Sequence, residues 1–117
     1  MIEIKRGDIV LVNLDPVIGA EIGKARPAIV ISNDLNNKYA DTITIIPVTS
    51  KKVDKIYPFE VLIEKKYGLD KNSKAKTNQI RTIDKKRVIK KIGELDTRKI
   101  KEIEKALLLH LGIIEIF

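Results

Sequence analysis

The stretch TITIIPVT, Thr42 to Thr49, decides the fold. Every residue in it except Pro47 is β-branched. Such side chains lose rotamer freedom in a helix and pack well on a pleated surface, so the stretch reads as a strand. Pro47 cannot donate to a ladder, which predicts an edge, a bulge or a strand end at that point. Similar short runs bounded by turn residues lie on both sides. They are Asp8 to Leu14 (DIVLVNL), Pro27 to Ser32 (PAIVIS), Phe59 to Ile63 (FEVLI), a weaker run from Ala75 to Ile80, and Arg87 to Leu95 (RVIKKIGEL) with apolar Val88, Ile89 and Ile92.

One helix is expected, at the end of the chain. Asp96 or Thr97 is placed to cap its start, and Gly112 to stop it. Ile100, Ile103, Leu107 and Leu111 recur at spacings of three and four, forming one apolar stripe. Leu108 and Leu109 widen it, which implies deeper burial or a subunit contact. The last segment, IIEIF, is apolar enough to be expected to pack down. Short strands followed by a helix predict a small, strongly bent β-barrel or sandwich with helical structure on one side. Asp15 to Ala25 (DPVIGAEIGKA) is too long for a hairpin turn and contains two glycines. Long ordered loops on small scaffolds often carry function.

With 117 residues and no linker, repeat or low-complexity tract, residues 1–117 are expected to form a single domain. Lys and Arg number 23 against 16 Asp and Glu, a formal net charge of +7. Such a surface attracts polyanions, nucleic acid above all, although solvated surface lysines would produce the same balance. The absence of cysteine excludes disulfides and thiolate metal sites and suits a reducing compartment. No apolar leader follows the first charges, and no uncharged run approaches the ~20 residues of a membrane span. A soluble cytoplasmic protein is the expectation.

The only histidine, His110, sits near the helix end, where a cationic ring suits the dipole; it reads as structural. Metal-ligand spacings and phosphate-loop motifs are missing from the sequence, and no cofactor is expected. A smaller set remains: Glu21 in the long loop, Arg26 just before Pro27, and Thr49 and Ser50 ending the third run. RNA cleavage needs little more, because the substrate's own 2′-hydroxyl attacks the adjacent phosphorus. The protein helps remove that proton, neutralises the growing charge and protonates the leaving oxygen. Arg offers a planar fork for phosphate, Thr a short stiff hydroxyl, and Glu a proton acceptor. From spacing alone, this set does not outweigh an ordinary structural role.

Three blocks in order resemble the MazF/PemK (Kid) toxin family. They are RGDIVLVNLDPVIGAEIGKARPAIVISND from Arg6 to Asp34, IIPVTS from Ile45 to Ser50, and NQIRTIDKKRV from Asn78 to Val88. The resemblance covers nearly the whole chain. It implies an SH3-like small β-barrel with short helices, the fold shared by MazF, PemK and CcdB toxins, usually as a homodimer. It also implies a growth-inhibiting toxin: a metal-independent, sequence-specific endoribonuclease that cuts single-stranded mRNA. Its products would be 2′,3′-cyclic phosphate and 5′-hydroxyl ends, and a cognate antitoxin would neutralise it. Arg26 and Thr49 match the family's catalytic Arg and Thr, and Glu21 a loop Glu beside them. The RNA-binding set expected with them is Gln79, Ser50, Lys51, Asn33 and Lys24.

The chain departs from the family where GAEIGK replaces the common loop GSEQGG, so that Ala20 and Ile22 remove two polar side chains and Lys24 adds a charge. Asn78 stands where Glu is frequent. No particular cleavage motif is therefore predicted. Lys51, Lys52 and Lys55 are placed to line the RNA backbone path or simply to be solvated. Aromatics are too few for a broad stacking platform, so Tyr39 and Tyr57 are expected to pack in the core or at a rim. The alternative is a non-enzymatic, gyrase-binding toxin of the CcdB type, with function at LLHLGIIEIF; a plain nucleic-acid-binding barrel is a third reading.

Overall fold

A computed structural model describes residues 2–115. Seven strands and two helices follow one another: β1 (Asp8–Asn13), β2 (Ala25–Val30), α1 (Asp34–Tyr39), β3 (Thr42–Thr49), β4 (Glu60–Ile63), β5 (Ser73–Lys76), β6 (Arg81–Asp84), β7 (Val88–Glu94) and α2 (Thr97–His110). The sheet is antiparallel in the order β4-β5-β3-β2-β1-β7, and β6 also pairs with β3. The fold is mainly β with a C-terminal helix, as expected, and the strand path does not close on itself.

The β-branched run Thr42–Thr49 is the hub of this sheet. One flank pairs with β2 through Ile45, Ile46 and Pro47. The other pairs with β6 from Thr42 to Ile45 and with β5 at Val48 and Thr49. Between those two partners the chain leaves the sheet in a 3-10 turn, Thr77–Gln79. Pro47 falls in that gap, so β3 stays central despite its missing donor, and the interruption lies in the neighbouring strands.

Alternation along the strands builds two cores. One face carries Val10, Val12, Leu14, Ala28, Val30, Ile43, Ile45 and Ile83 into one cluster. The opposite face, with Ile9, Ile29, Ile46, Val48, Val61 and Ile63, packs beneath Ile103 and Ala106 of α2. Asp96 caps α2 by accepting from the Lys99 amide, and Gly112, in the left-handed region at φ 74°, follows its end. The expected stripe is displaced by part of a turn. Lys99, Ile103 and Ala106 are buried, whereas Leu111 is 53% exposed. Lys99 is held by Glu64 and Glu102, both at 3.0 Å.

Several expectations are corrected. The weak run at Ala75–Ile80 is the end of β5 followed by the 3-10 turn. Strand β6 and helix α1 were not anticipated. β6 buries only Ile83, and α1 buries only Asn37, so neither carries a hydrophobic period. Of the core and rim places expected for Tyr39 and Tyr57, the core is not used: both are exposed, and Tyr57 packs at the surface against Phe59. Ile113 and Ile114 are exposed, not packed down, while Ile116 and Phe117 lie outside the described residues. Among the described residues, no helix is long and apolar enough to cross a membrane.

Candidate functional site

Arg26 is the second residue of β2, and Thr49 the last of β3. The β2–β3 register pairs Val30 with Ile45, Ile29 with Ile46 and Ala28 with Pro47. Continued two residues past Ala28, it sets Arg26 across from Thr49. Directly opposed residues of an antiparallel pair share a face of the sheet. Both side chains are half-buried. The Arg26 Nε donates to the Gly23 carbonyl at 3.2 Å. The Thr49 hydroxyl oxygen accepts from the Lys51 amide at 3.2 Å, which leaves its own proton free to donate elsewhere. At this end of the strands, Arg26 and Ser50 line a cleft of about 200 Å³ together with Pro27, Val48, Leu69 and Lys71.

Glu21 and Gln79 lie in a second cleft, of about 490 Å³, walled by the β1–β2 loop on one side and by Asn78–Arg81 on the other. Glu21 is exposed, and its Oε1 accepts from the Ile18 amide at 2.9 Å. Arg26 and Glu21 do not pair with each other: the Arg26 Nε donates to the Gly23 carbonyl, and the Glu21 carboxylate accepts from the Ile18 amide. The loop connects the two clefts, since Gly23 touches Arg26 while Ala20–Ile22 wall the other cleft.

The loop's neck is built from its backbone. Leu14 N–H donates to the Lys24 carbonyl at 2.9 Å, and Lys24 N–H to Asp15 Oδ1 at 2.8 Å. Lys24 adopts a left-handed φ of 66°, with its side chain exposed. Gly19, at φ 56°, turns the tip. Ile22 is half-buried against the cluster that holds Val10, Val12 and Leu14.

The other expected RNA contacts fare differently. Ser50 and Lys51 are exposed beside Thr49. Asn33 is set apart: it follows the opposite end of β2 and caps α1, its side chain accepting from the Asn36 amide at 2.8 Å. Both ends of the Gln79 amide are engaged by the loop. Two arginines that the sequence reading left unassigned also belong here. Arg81 lines the second cleft and donates to the Leu14 carbonyl at 3.2 Å. Arg87 donates to the carbonyls of Asn13 and Asp15 at 3.0 and 2.6 Å. Their block, QIRTIDKKR, marked the region, but only the folded chain shows two guanidinium groups gripping the loop's first residues.

A buried ion cluster backs the Thr49 end. Lys74, paired with Thr49 across β3 and β5, reaches Glu60 at 2.9 Å, and Lys76 reaches the same carboxylate at 3.1 Å. Burial alone would push the Glu60 carboxyl up. The Tyr57 amide, Lys74 and Lys76 outweigh it and hold it below its ordinary value. Lys74 also donates to the Lys55 carbonyl at 2.9 Å, fastening the segment that follows β3. In that segment Tyr57 stacks on Phe59, with centroids 5.7 Å apart.

The comparisons agree with this architecture. MazF from Deinococcus radiodurans (form I) superposes with a TM-score of 0.84 at 28% identity, covering 96% of this chain and 99% of its own. The MazE–MazF complex from the same organism (form II) gives 0.77 at 27% identity, with 97% and 100% covered. An endoribonuclease from a mycobacterial species has the same fold, at 0.78 and 20% identity over 96% and 94%. Residues 5–111 match the sequence family described as PemK-like, MazF-like toxin of type II toxin-antitoxin system, and the chain therefore belongs to that family.

Proposed function

We propose that this protein is a toxin endoribonuclease that cleaves single-stranded mRNA sequence-specifically and without a metal, and that a cognate antitoxin neutralises it. What supports this reading is the β2–β3 register, which, continued two residues past the Ala28–Pro47 pair, sets Arg26 opposite Thr49 at one end of the sheet. A scissile phosphate at that end meets the Arg26 guanidinium, which stays protonated and stabilises the phosphorane charge. Thr49 donates its free hydroxyl proton to a phosphoryl oxygen. Glu21, carried on the loop, takes the 2′-hydroxyl proton. The 2′-oxygen then bonds to phosphorus, the bond to the 5′-oxygen breaks, and that oxygen takes a proton from water while the guanidinium remains protonated and Glu21 returns the proton it accepted to solvent. A 2′,3′-cyclic phosphate and a 5′-hydroxyl result. Ser50, Lys51 and Lys24 are exposed around this path and suit the RNA backbone.

A mycobacterial endoribonuclease of the same fold is known in complex with its cognate antitoxin, and MazF of Deinococcus radiodurans in complex with MazE, which supports an antitoxin partner here. The active form is proposed to be a homodimer. The family assignment does not favour the gyrase-binding alternative.

Purified protein incubated with RNA in excess chelator should give cyclic-phosphate ends. Arg26→Ala should reduce cleavage by at least ~10²-fold while the variant stays folded, the scale of losing one preorganised charge-stabilising donor. An Arg26→Ala protein that cuts at the parental rate refutes the assignment. RNA retained intact would indicate simple binding, and gyrase inhibition without cleavage would indicate the other class of toxin.

A further inference from the structure

We propose that Gln79 is a positioning residue: a latch that docks the β1–β2 loop and so assembles the cleft holding Glu21. The inference rests on the ribonuclease reading for its consequence, but not for its geometry. Gln79 Oε1 accepts from the Ile22 amide at 3.3 Å, and its Nε2 donates to the Ala20 carbonyl at 3.3 Å. One side chain thus satisfies a donor and an acceptor on either side of Glu21. The loop's other polar bonds run within itself or at its neck. Glu21 bonds to Ile18, Lys24 to Asp15, and Arg81 and Arg87 hold only Leu14, Asn13 and Asp15. Ile18, Gly19, Ala20 and Glu21 are all exposed, so apolar packing of the tip falls to Ile22.

The two walls of the Glu21 cleft are distant in sequence, residues 20–22 and 78–81. The Gln79 amide bridges them. With the latch closed, Glu21 and Arg81 line one cleft; with it open, the turn at Ile18–Glu21 is retained but its place in the molecule is not. An exposed loop with so few anchors opens locally at low cost. Gln79 is also the anchor most readily exchanged, because a nucleobase edge or an antitoxin backbone presents the same paired donor and acceptor. The latch therefore makes the geometry around Glu21 responsive to what occupies the cleft.

Hydrogen–deuterium exchange on the full-length protein tests the latch without RNA. Gln79→Ala should accelerate exchange at Ile22 and its loop neighbours about tenfold, the scale of losing two hydrogen bonds. Exchange in β2 and β3 should not change. Gln79→Glu keeps the acceptor for Ile22 but sets an oxygen against the Ala20 carbonyl, so its rate should fall between the two. Oligoribonucleotide kinetics test the consequence: kcat/KM should fall in the same order, and Gln79→Glu should recover part of it. Loop exchange at the parental rate in both variants overturns the latch. Accelerated exchange with unchanged kcat/KM overturns the positioning role. If the parental protein cuts no RNA, the proposed function fails, while the exchange result still decides the latch.

Discussion

Replacing Glu60 by Gln should destabilise the protein by about 3 kcal/mol, and the loss should depend on pH in a defined direction. The Glu60 side chain is 1% exposed and that of Lys74 5%, and they meet at 2.9 Å. Removing one charge of a buried pair costs about 3–5 kcal/mol, because the other charge remains buried without compensation. Two features place the expected loss at the low end. Lys74 keeps its bond to the Lys55 carbonyl, and the amide oxygen of Gln can still accept from Tyr57. For a domain of this size, roughly 3–5 °C of melting temperature accompanies each kcal/mol, so a fall of about 10–15 °C is expected.

The pH dependence follows from linkage. The folded Glu60 carboxyl is held below its ordinary value near 4.5. Its contribution is therefore fully present above that value and is lost as pH falls through the lower folded one. Urea unfolding followed by circular dichroism at neutral pH and at steps down to pH 3 should show the gap between parent and Glu60→Gln narrowing below about 4.5. Glu64 and Asp96 are lowered too, so the variant keeps part of the acid slope. Lys76 is 25% exposed, and Lys76→Met should cost no more than about 1 kcal/mol, because Glu60 retains Lys74. A Glu60→Gln loss below about 1 kcal/mol at neutral pH, or a gap constant with pH, would refute the view that this cluster fastens β5 behind Thr49.

Gly93 and Gly68 lie face to face, and a Cβ on Gly93 would overlap the Tyr67 carbonyl, a backbone atom that cannot swing away. Gly93→Ala should therefore cost about 3 kcal/mol, read as a shifted urea midpoint, and a loss under 1 kcal/mol would show that β7 yields there. Asn33→Ala should cost about 1 kcal/mol through the lost cap of α1 yet leave kcat/KM on RNA unchanged, since Asn33 sits at the far end of β2; a fall in RNA affinity would restore it to the binding surface. Neutralising Lys51 and Lys52 should flatten the salt dependence of RNA binding by up to about two phosphate contacts; an unchanged slope would mark them as ordinary solvated charges.

The sheet was legible in the sequence because its signal is local. TITIIPVT and PAIVIS report their state through β-branching, and they pair as neighbouring strands. What stayed hidden was either too short to carry a period or set by partners distant in sequence. α1 has six residues and buries only Asn37. The buried Lys99 looks like a surface lysine until Glu64 and Glu102 close around it. At the site, Arg26 and Thr49 were visible as residue types at strand ends. That they share one end and one face depends on the β2–β3 register, which no local pattern encodes.

The loop departures take on a different meaning once the fold is known. In GAEIGK, Ile22 removes a polar group, but the structure uses it as an anchor, half-buried against the cluster of Val10, Val12 and Leu14. Ala20 and Ile22 present their backbone, not their side chains, to Gln79. Lys24 contributes its carbonyl and amide to the loop's neck while its side chain stays free in solvent. On the proposed reading, polar side chains at positions 20 and 22 give way to a loop whose position is set by packing at Ile22 and by hydrogen bonds at Gln79. On the proposed reading, base preference then depends less on the loop's own side chains and more on the wall it docks against, Asn78 to Arg81. Changes in that wall should alter which sequences are cut, whereas Ala20→Ser should leave the cleavage pattern of a transcript intact.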